Sequence, residues 1–287
     1  MLWPQTTLNC RGILLDLLDP VVMGIVNATP DSFYASSRVN FVRDTMHKVE
    51  KMIDEGVAII DVGGMSTRPG AKEISPEEEL DRLKPLIPAI RSAFPQQIIS
   101  IDTIWGSVAQ WALEAGVHMI NDISAWSIDP ELLEVVTLNK VPYILMHMKG
   151  TPATMQEQAT YDDVVVEVLD FLIVKLGILA ARGVYDVIVD PGFGFAKSAR
   201  HNFELLQNLH AFQILDKPIL AGLSRKSTIQ KTLGVSADEA LNGTTALNMV
   251  ALQQGAKILR VHDVAEAMQC IRLHKELRQY DRSQWSP

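Results

Sequence analysis

Several things are scarce in this sequence, and each scarcity excludes a class of protein. Cysteine occurs twice in 287 residues, as Cys10 and Cys270 near opposite ends. Two thiols so placed make neither a disulfide framework nor a zinc-type cluster. They suit a reducing compartment as idle thiols, or as a single bond joining the chain ends. No apolar run approaches the roughly 18 residues of a membrane span. Met1 to Leu18 shows no basic segment followed by a continuous apolar stretch, so no secretory leader is expected. Lys and Arg number 26 against 34 acids, for a net charge of −8, and they are scattered. The basic stripe of a nucleic-acid binder is therefore missing. A Walker-type glycine loop, a dinucleotide glycine fingerprint and a polar linker are missing too. With 47% hydrophobic residues there is enough apolar material for a large core. These features lead us to expect one cytoplasmic domain, residues 1–287, with neither nucleic acid nor membrane as partner.

Eight strand-like segments recur along the chain: Val21–Asn27, Ile59–Gly64, Ile98–Thr103, Met119–Ser124, Pro142–Met148, Val187–Gly194, Pro218–Ser224 and Ile258–Asp263. Most are short, β-branched and apolar throughout, the pattern of parallel strands covered on both faces. Amphipathic segments lie between them. Ser75-Pro76-Glu77-Glu78 sets a cap, a first-turn proline and acids at the positive end of a helix, and Asp129-Pro130-Glu131 repeats the device. Ser236 and Asp238 offer caps before the segment ending at Gly255. Gly56, Gly116, Gly183 and Gly255 each precede a strand and suit helix stops. Strand then helix, about eight times over, predicts a (β/α)8 TIM barrel. A doubly wound sheet is the alternative, but it gathers its ligand residues at one switch point. Thr7–Leu18, with Arg11-Gly12 at its centre, predicts an N-terminal β-hairpin closing the barrel bottom.

In a barrel, the loops after the strands build the site. Polar residues follow nearly every strand here, and they fall into two groups. Asp102, Asn121, Asp190 and Lys226 suit a flat heterocycle of alternating donors and acceptors. Arg68, Arg260, His262 and Asn27 suit an anion, with Asn or His able to assist or to hold a metal. Arg225-Lys226-Ser227 opens a helix whose free N–H groups also favour anions. Blander readings stand beside these. Asp122 and Asp263 read as turn or cap residues, His147 as a core or a catalytic histidine, and Glu77-Glu78-Glu79 as a solvated helix start. The Met-rich fifth strand reads as core packing.

Four segments carry a family resemblance: Asn27-Ala28-Thr29-Pro30-Asp31-Ser32-Phe33, Gly63-Gly64-Met65-Ser66-Thr67-Arg68-Pro69-Gly70, Asp190-Pro191-Gly192-Phe193-Gly194-Phe195 and Ser224-Arg225-Lys226-Ser227, with Arg260-Val261-His262 closing the series. In this order they resemble dihydropteroate synthase over nearly the whole chain. The resemblance implies a barrel, a homodimer packed through its later helices, and condensation of a dihydropterin pyrophosphate with 4-aminobenzoate. It implies that Thr67, Asp102, Asn121, Asp190, Lys226 and Arg260 bind the pterin. Asn27, Arg68, Arg260 and His262 would take the pyrophosphate, with Asn27 on Mg2+. Phe33, Thr67, Pro69, Phe195, Lys226 and Ser227 would surround 4-aminobenzoate, the site that sulfonamides mimic. Asp102, Lys226 and Arg260 would be the catalytic groups, with no protein nucleophile required.

The chain departs from the family's habit in its first loop. Tyr34-Ala35-Ser36-Ser37-Arg38 replaces a short residue followed by Asp-Gly-Gly, which should make the loop less permissive. Ala28 replaces a common valine, a loss of bulk only. Ala196 and Gln230 stand where glycines are common, and both are expected to be helix-compatible and of little effect. Two rival readings remain. A pterin-binding methyl carrier would not need the Ser-Thr-Arg-Pro-Gly loop or the Arg-Val-His ending. A non-catalytic homologue draws support only from the altered first loop.

Overall fold

A computed structural model of the chain describes residues 5–28, 35–66 and 73–280. Two antiparallel strands come first, β1 (Thr7–Cys10) and β2 (Ile13–Asp16). Arg11 and Gly12 turn between them, both at positive φ (54° and 95°), the conformation a two-residue hairpin turn demands. Eight parallel strands follow: β3 (Val21–Asn27), β4 (Ile59–Gly63), β5 (Ile98–Asp102), β6 (Met119–Asp122), β7 (Tyr143–Met146), β8 (Val187–Asp190), β9 (Leu220–Ala221) and β10 (Ile258–Val261). They pair in the order β8-β7-β6-β5-β4-β3-β10-β9. A bridge between Val189 and Ile219 closes the ring, with Val189 N–H donating to Pro218 O at 2.9 Å. The expected barrel is therefore present. Its seventh strand is only two residues long.

Helices cover the outside: α1 (Ala35–Asp54), α2 (Pro76–Leu83), α3 (Ile87–Ala93), α4 (Gly106–Glu114), α5 (Glu131–Asn139), α6 (Val164–Ala181), α7 (Ala199–Gln207), α8 (Ser227–Leu233), α9 (Leu241–Gln253) and α10 (Val264–Gln279). Their caps follow from the sequence. Ser75 Oγ accepts from Glu78 N–H, and the two Asp129 carboxylate oxygens accept from Glu131 N–H and Gly106 N–H, starting α5 and α4 together. The four expected stop glycines all take positive φ. The exception is α9, which begins at Leu241 and is capped by neither Ser236 nor Asp238; Ser236 instead closes a turn on the Glu239 carboxylate. Residues 35–38, expected in a loop, are the first turn of α1. Serine is a better helix former than glycine, so the departure at 36 and 37 suits a helix start. No helix among the described residues is long and apolar enough to cross a membrane.

The strands alternate strictly. Val22, Ile60, Ile99, Ile120, Tyr143, Val187, Val189 and Leu259 face the helices in one large buried cluster. The intervening residues face inward. At the bottom these are Met23, Ile59, Ile98, Met119, Ile144, Ile188, Leu220 and Ile258, one from each strand, packed against Leu8, Cys10, Leu15 and Leu17 of the hairpin. The hairpin is thus the plug the sequence predicts. Arg11 fastens it by donating to the carbonyls of Leu113 and Val117. Cys10 and Cys270 are both buried and free.

Candidate active site

Side chains on one face of a strand recur every second residue. Two positions up from the apolar ring, the inward residues become Ile25, Asp61, Ser100, Asn121, Met146, Asp190, Gly222 and Arg260. One further step along β5 brings Asp102. The change from an apolar to a polar layer thus takes two residues, and the site stands on rigid strand ends above a dry plug.

Arg260 organises this layer. Its guanidinium donates to Asp61 at 2.7 Å and to Asp102 at 2.6 Å, and Asn121 Nδ2 donates to Asp61 at 3.0 Å. Asp61 is fully buried and Asp102 nearly so. Burial raises the Asp102 carboxyl, with Asp61 adding to the rise, and the Arg260 charge works against both. Asp61 and Asp102 each keep one buried oxygen, Oδ1, without a partner among the described residues. A buried acceptor left unpaired is costly, so a donor-bearing ligand would be stabilised here.

Across the mouth, Asp190 accepts from Gly192 N–H at 2.7 Å. Lys226 Nζ donates to the Phe193 carbonyl and lies 4.9 Å from the centre of the Phe195 ring. Burial lowers the Lys226 ammonium to about 8, against the pull of Asp190. Ser227 is exposed as the first residue of α8. On the third side, Ser224 Oγ accepts from His262 N–H at 3.2 Å and lies 3.0 Å from His262 Nδ1. A serine proton given to Nδ1 leaves the ring proton on Nε2. Burial, with Lys48 and Arg260 adding to it, lowers His262 to about 4, so the ring is neutral. Asn27 is exposed at the end of β3, paired with Gly63 of β4.

The structure therefore brings together Asp102, Asn121, Asp190, Lys226 and Arg260, and sets Phe195, His262, Asn27 and Ser227 around them. Phe33, Thr67, Arg68 and Pro69 lie outside the described residues.

Several expectations need correction. Glu79 is not solvated. It is fully buried, accepts from Thr103 Oγ1 at 2.8 Å, and burial raises its carboxyl to about 7. Gly64 makes room for it: a Cβ there would stand 2.7 Å from Glu79 Cγ. The Arg225 side chain is already paired within the protein. It grips Asp263 at 2.8 and 2.9 Å and the carbonyls of Ala237 and Asp238, so Asp263 is its ion-pair partner and more than a turn residue. Asp122 does behave as a turn residue, accepting from Ser124 N–H, Trp126 N–H and Tyr143 Oη. Ala196 is not helical but left-handed, at φ 51°, whereas Gln230 is helical as expected. Four groups had no assigned role in the sequence: Asp61, Lys48, Glu79 and Lys197. Asp61 was visible as a strand-end acid. The burial of Glu79 and Lys197 depends on packing alone, whereas Lys48 is an exposed residue of α1 whose Nζ reaches back to donate to the Ile25 carbonyl at 3.0 Å.

A family model described as "Pterin binding enzyme" matches residues 23–262. The dihydropteroate synthase of Escherichia coli K12 is 44% identical over 268 residues, covering 93% of this chain and 94% of that one. The chain belongs to the dihydropteroate synthase family. Among solved structures of that family, the Yersinia pestis enzyme in complex with a sulfonamide drug superposes with a TM-score of 0.89 at 38% identity, over 95% of this chain and 99% of the other. The Xanthomonas albilineans enzyme in complex with 7,8-dihydropteroate gives 0.84 at 33% identity, over 96% and 99%. Membership of the dihydropteroate synthase family fits a barrel mouth rich in paired acids and bases, and it removes the methyl-carrier alternative.

Proposed function

We propose that this mouth joins 6-hydroxymethyl-7,8-dihydropterin pyrophosphate to 4-aminobenzoate, releasing pyrophosphate and 7,8-dihydropteroate. The observation that carries the reading is the meeting of Asp102, Asn121, Asp190, Lys226 and Arg260 over an apolar plug, with the Asp102 Oδ1 unpaired among the described residues. A pterin offers ring N–H and amino donors to the carboxylates and acceptors to Asn121 and Lys226. The C–O bond to pyrophosphate breaks, and the aniline nitrogen forms the new C–N bond and gives up its proton. Asp102 and Asp190 stabilise positive charge developing in the ring. Arg68, Arg260 and the neutral Nε2–H of His262 would hold the leaving group, with Lys48 of α1 as a further cation beside His262. Phe33, Thr67, Pro69, Phe195, Lys226 and Ser227 would enclose 4-aminobenzoate, and a sulfonamide would compete there.

Among the described residues, no group of three His, Cys, Asp or Glu could hold a metal ion. That donor set fits a Mg2+ carried in by the substrate, since Mg2+ keeps waters and phosphate oxygens and needs few protein ligands. Asn27 would supply one amide oxygen, and the ion would offset charge on the departing pyrophosphate.

A second copy of the chain would cover the later helices, where Phe203 of α7, Ile214 and Leu233 of α8 stand exposed on neighbouring elements. A cytoplasmic location accords with the two free thiols. The test is direct: mix the chain with the pterin pyrophosphate, Mg2+ and 4-aminobenzoate, and follow pyrophosphate. Release dependent on 4-aminobenzoate is expected. Tight pterin binding without release would instead make the chain a non-catalytic pterin binder.

A further inference from the structure

Lys197 is only 3% exposed, yet nothing in the reaction above uses it. It ends the loop that runs from Asp190 through Phe195. Its Nζ lies 2.9 Å from His147 Nδ1 and 3.0 Å from the Phe195 carbonyl, with the His147 carbonyl at 3.4 Å. All three acceptors are neutral. Burial lowers the Lys197 amino group well below the usual lysine range, Asp190 works against that fall, and Lys226 and Lys149 add to it. A buried lysine head group is expensive, and an apolar side chain of similar volume would often be tolerated better. What its N–H groups supply, and an apolar chain could not, is direction.

The surroundings are built to receive it. Gly192 sits at φ 74°, and a Cβ there would fall 2.0 Å from the His147 carbonyl and 3.3 Å from Lys197 Nζ. Asn202 clamps the same loop, accepting from Gly194 N–H at 2.7 Å and donating to Ser198 O at 2.8 Å. His147 stands edge-on to Phe171, with ring centres 4.9 Å apart, so its orientation is set by packing. Burial and the neighbouring lysines hold His147 neutral, which frees Nδ1 to accept. This settles the histidine in favour of a core residue, but one whose ring nitrogen is in use.

We propose that Lys197 is the positioning residue of the loop after β8: its amino group, seated on His147, fixes the Phe195 carbonyl and thereby the Phe195 ring against which 4-aminobenzoate packs. The proposal rests on the role given above to Phe195. The test compares Lys197→Met, Phe195→Ala, His147→Asn and His147→Leu, each checked for folding by circular dichroism, with separate KM values for the two substrates. Phe195→Ala should raise KM for 4-aminobenzoate. Lys197→Met should raise the same KM by roughly 10- to 100-fold, the scale of a misplaced contact, with a far smaller change for the pterin pyrophosphate. His147→Asn keeps an acceptor at the Nδ1 position and should stay near the wild-type KM, whereas His147→Leu should follow Lys197→Met. A purely structural lysine would lower the melting temperature and leave both KM values alone.

No shift in Phe195→Ala overturns the role of Phe195 and the proposal with it. A shift in Phe195→Ala without one in folded Lys197→Met overturns the proposal alone. Should Lys197→Met not fold, equal KM values for the two His147 variants overturn it equally.

Discussion

The two ends of the barrel interior are made by the same strands and differ by two residues of height. At the bottom, eight apolar side chains meet the hairpin plug. One layer up, the same inward face holds Asp61, Asn121, Asp190 and Arg260. The lower layer gains stability by excluding water from apolar surface. The upper layer gives some of that up, burying charges that are tolerable only as a paired set. The division says that a change in the lower layer should act on folding and one in the upper layer on chemistry.

Arg260→Met should break the comparison most severely. It leaves Asp61 and Asp102 buried without their cation, which costs about 3–5 kcal/mol of stability. Pyrophosphate release should fall on the order of 1,000-fold, as for loss of a preorganised charge partner. Urea unfolding and turnover measure the two halves. A variant as stable as the parent would mean that the carboxylates do not depend on Arg260 in the free protein. In the lower ring, Ile188→Ala should cost about 2–5 kcal/mol by cavity formation while leaving both KM values near those of the parent. A changed KM with intact stability would erase the distinction between the layers.

Lys226 sharpens the upper half further. Its ammonium is lost as pH rises through about 8, well below the usual lysine range. If the charged form binds substrate, kcat/KM should be flat below that value and fall about tenfold per pH unit above it. Stability should move the other way. Between pH 8 and the unfolded lysine value the native state binds fewer protons than the unfolded one, so stability rises with pH there. Lys226→Arg should remove the basic limb whatever its absolute rate. A limb that persists in that variant would assign the titration to another group.

The lower layer was legible in the sequence because alternation and β-branching are local signals. The hairpin turn, the stop glycines and the caps at Ser75 and Asp129 were legible for the same reason, unlike the start of α9. The upper layer was legible as a set of strand-end residues, but not as a network: Asp61 and Arg260 are 199 residues apart, and nothing local says that they pair. Glu79 was misread because three acids at a helix start ordinarily face water. Its burial follows from α2 packing over Gly64, which presents no side chain. Lys197 gave no signal at all, since a lone lysine ordinarily reaches solvent.

The smallest expected effect is the most finely balanced, at Ala196. At φ 51° a residue with a Cβ is strained by roughly 1–2 kcal/mol, a strain glycine would relieve. Against this, Ala196 is fully buried among Met65, Ile104, Met146, Met148, Met155 and Phe195. Removing its methyl forfeits about 0.8 kcal/mol of burial. Glycine also widens the unfolded ensemble, which costs a further ~0.4–1 kcal/mol. Ala196→Gly should therefore leave stability within about 1 kcal/mol of the parent. A loss well beyond that in urea unfolding would show that the methyl is a packing element of the mouth. In that case the apolar lining between Lys197 and Phe195 would belong with the lower layer's logic, at the height where the chemistry begins.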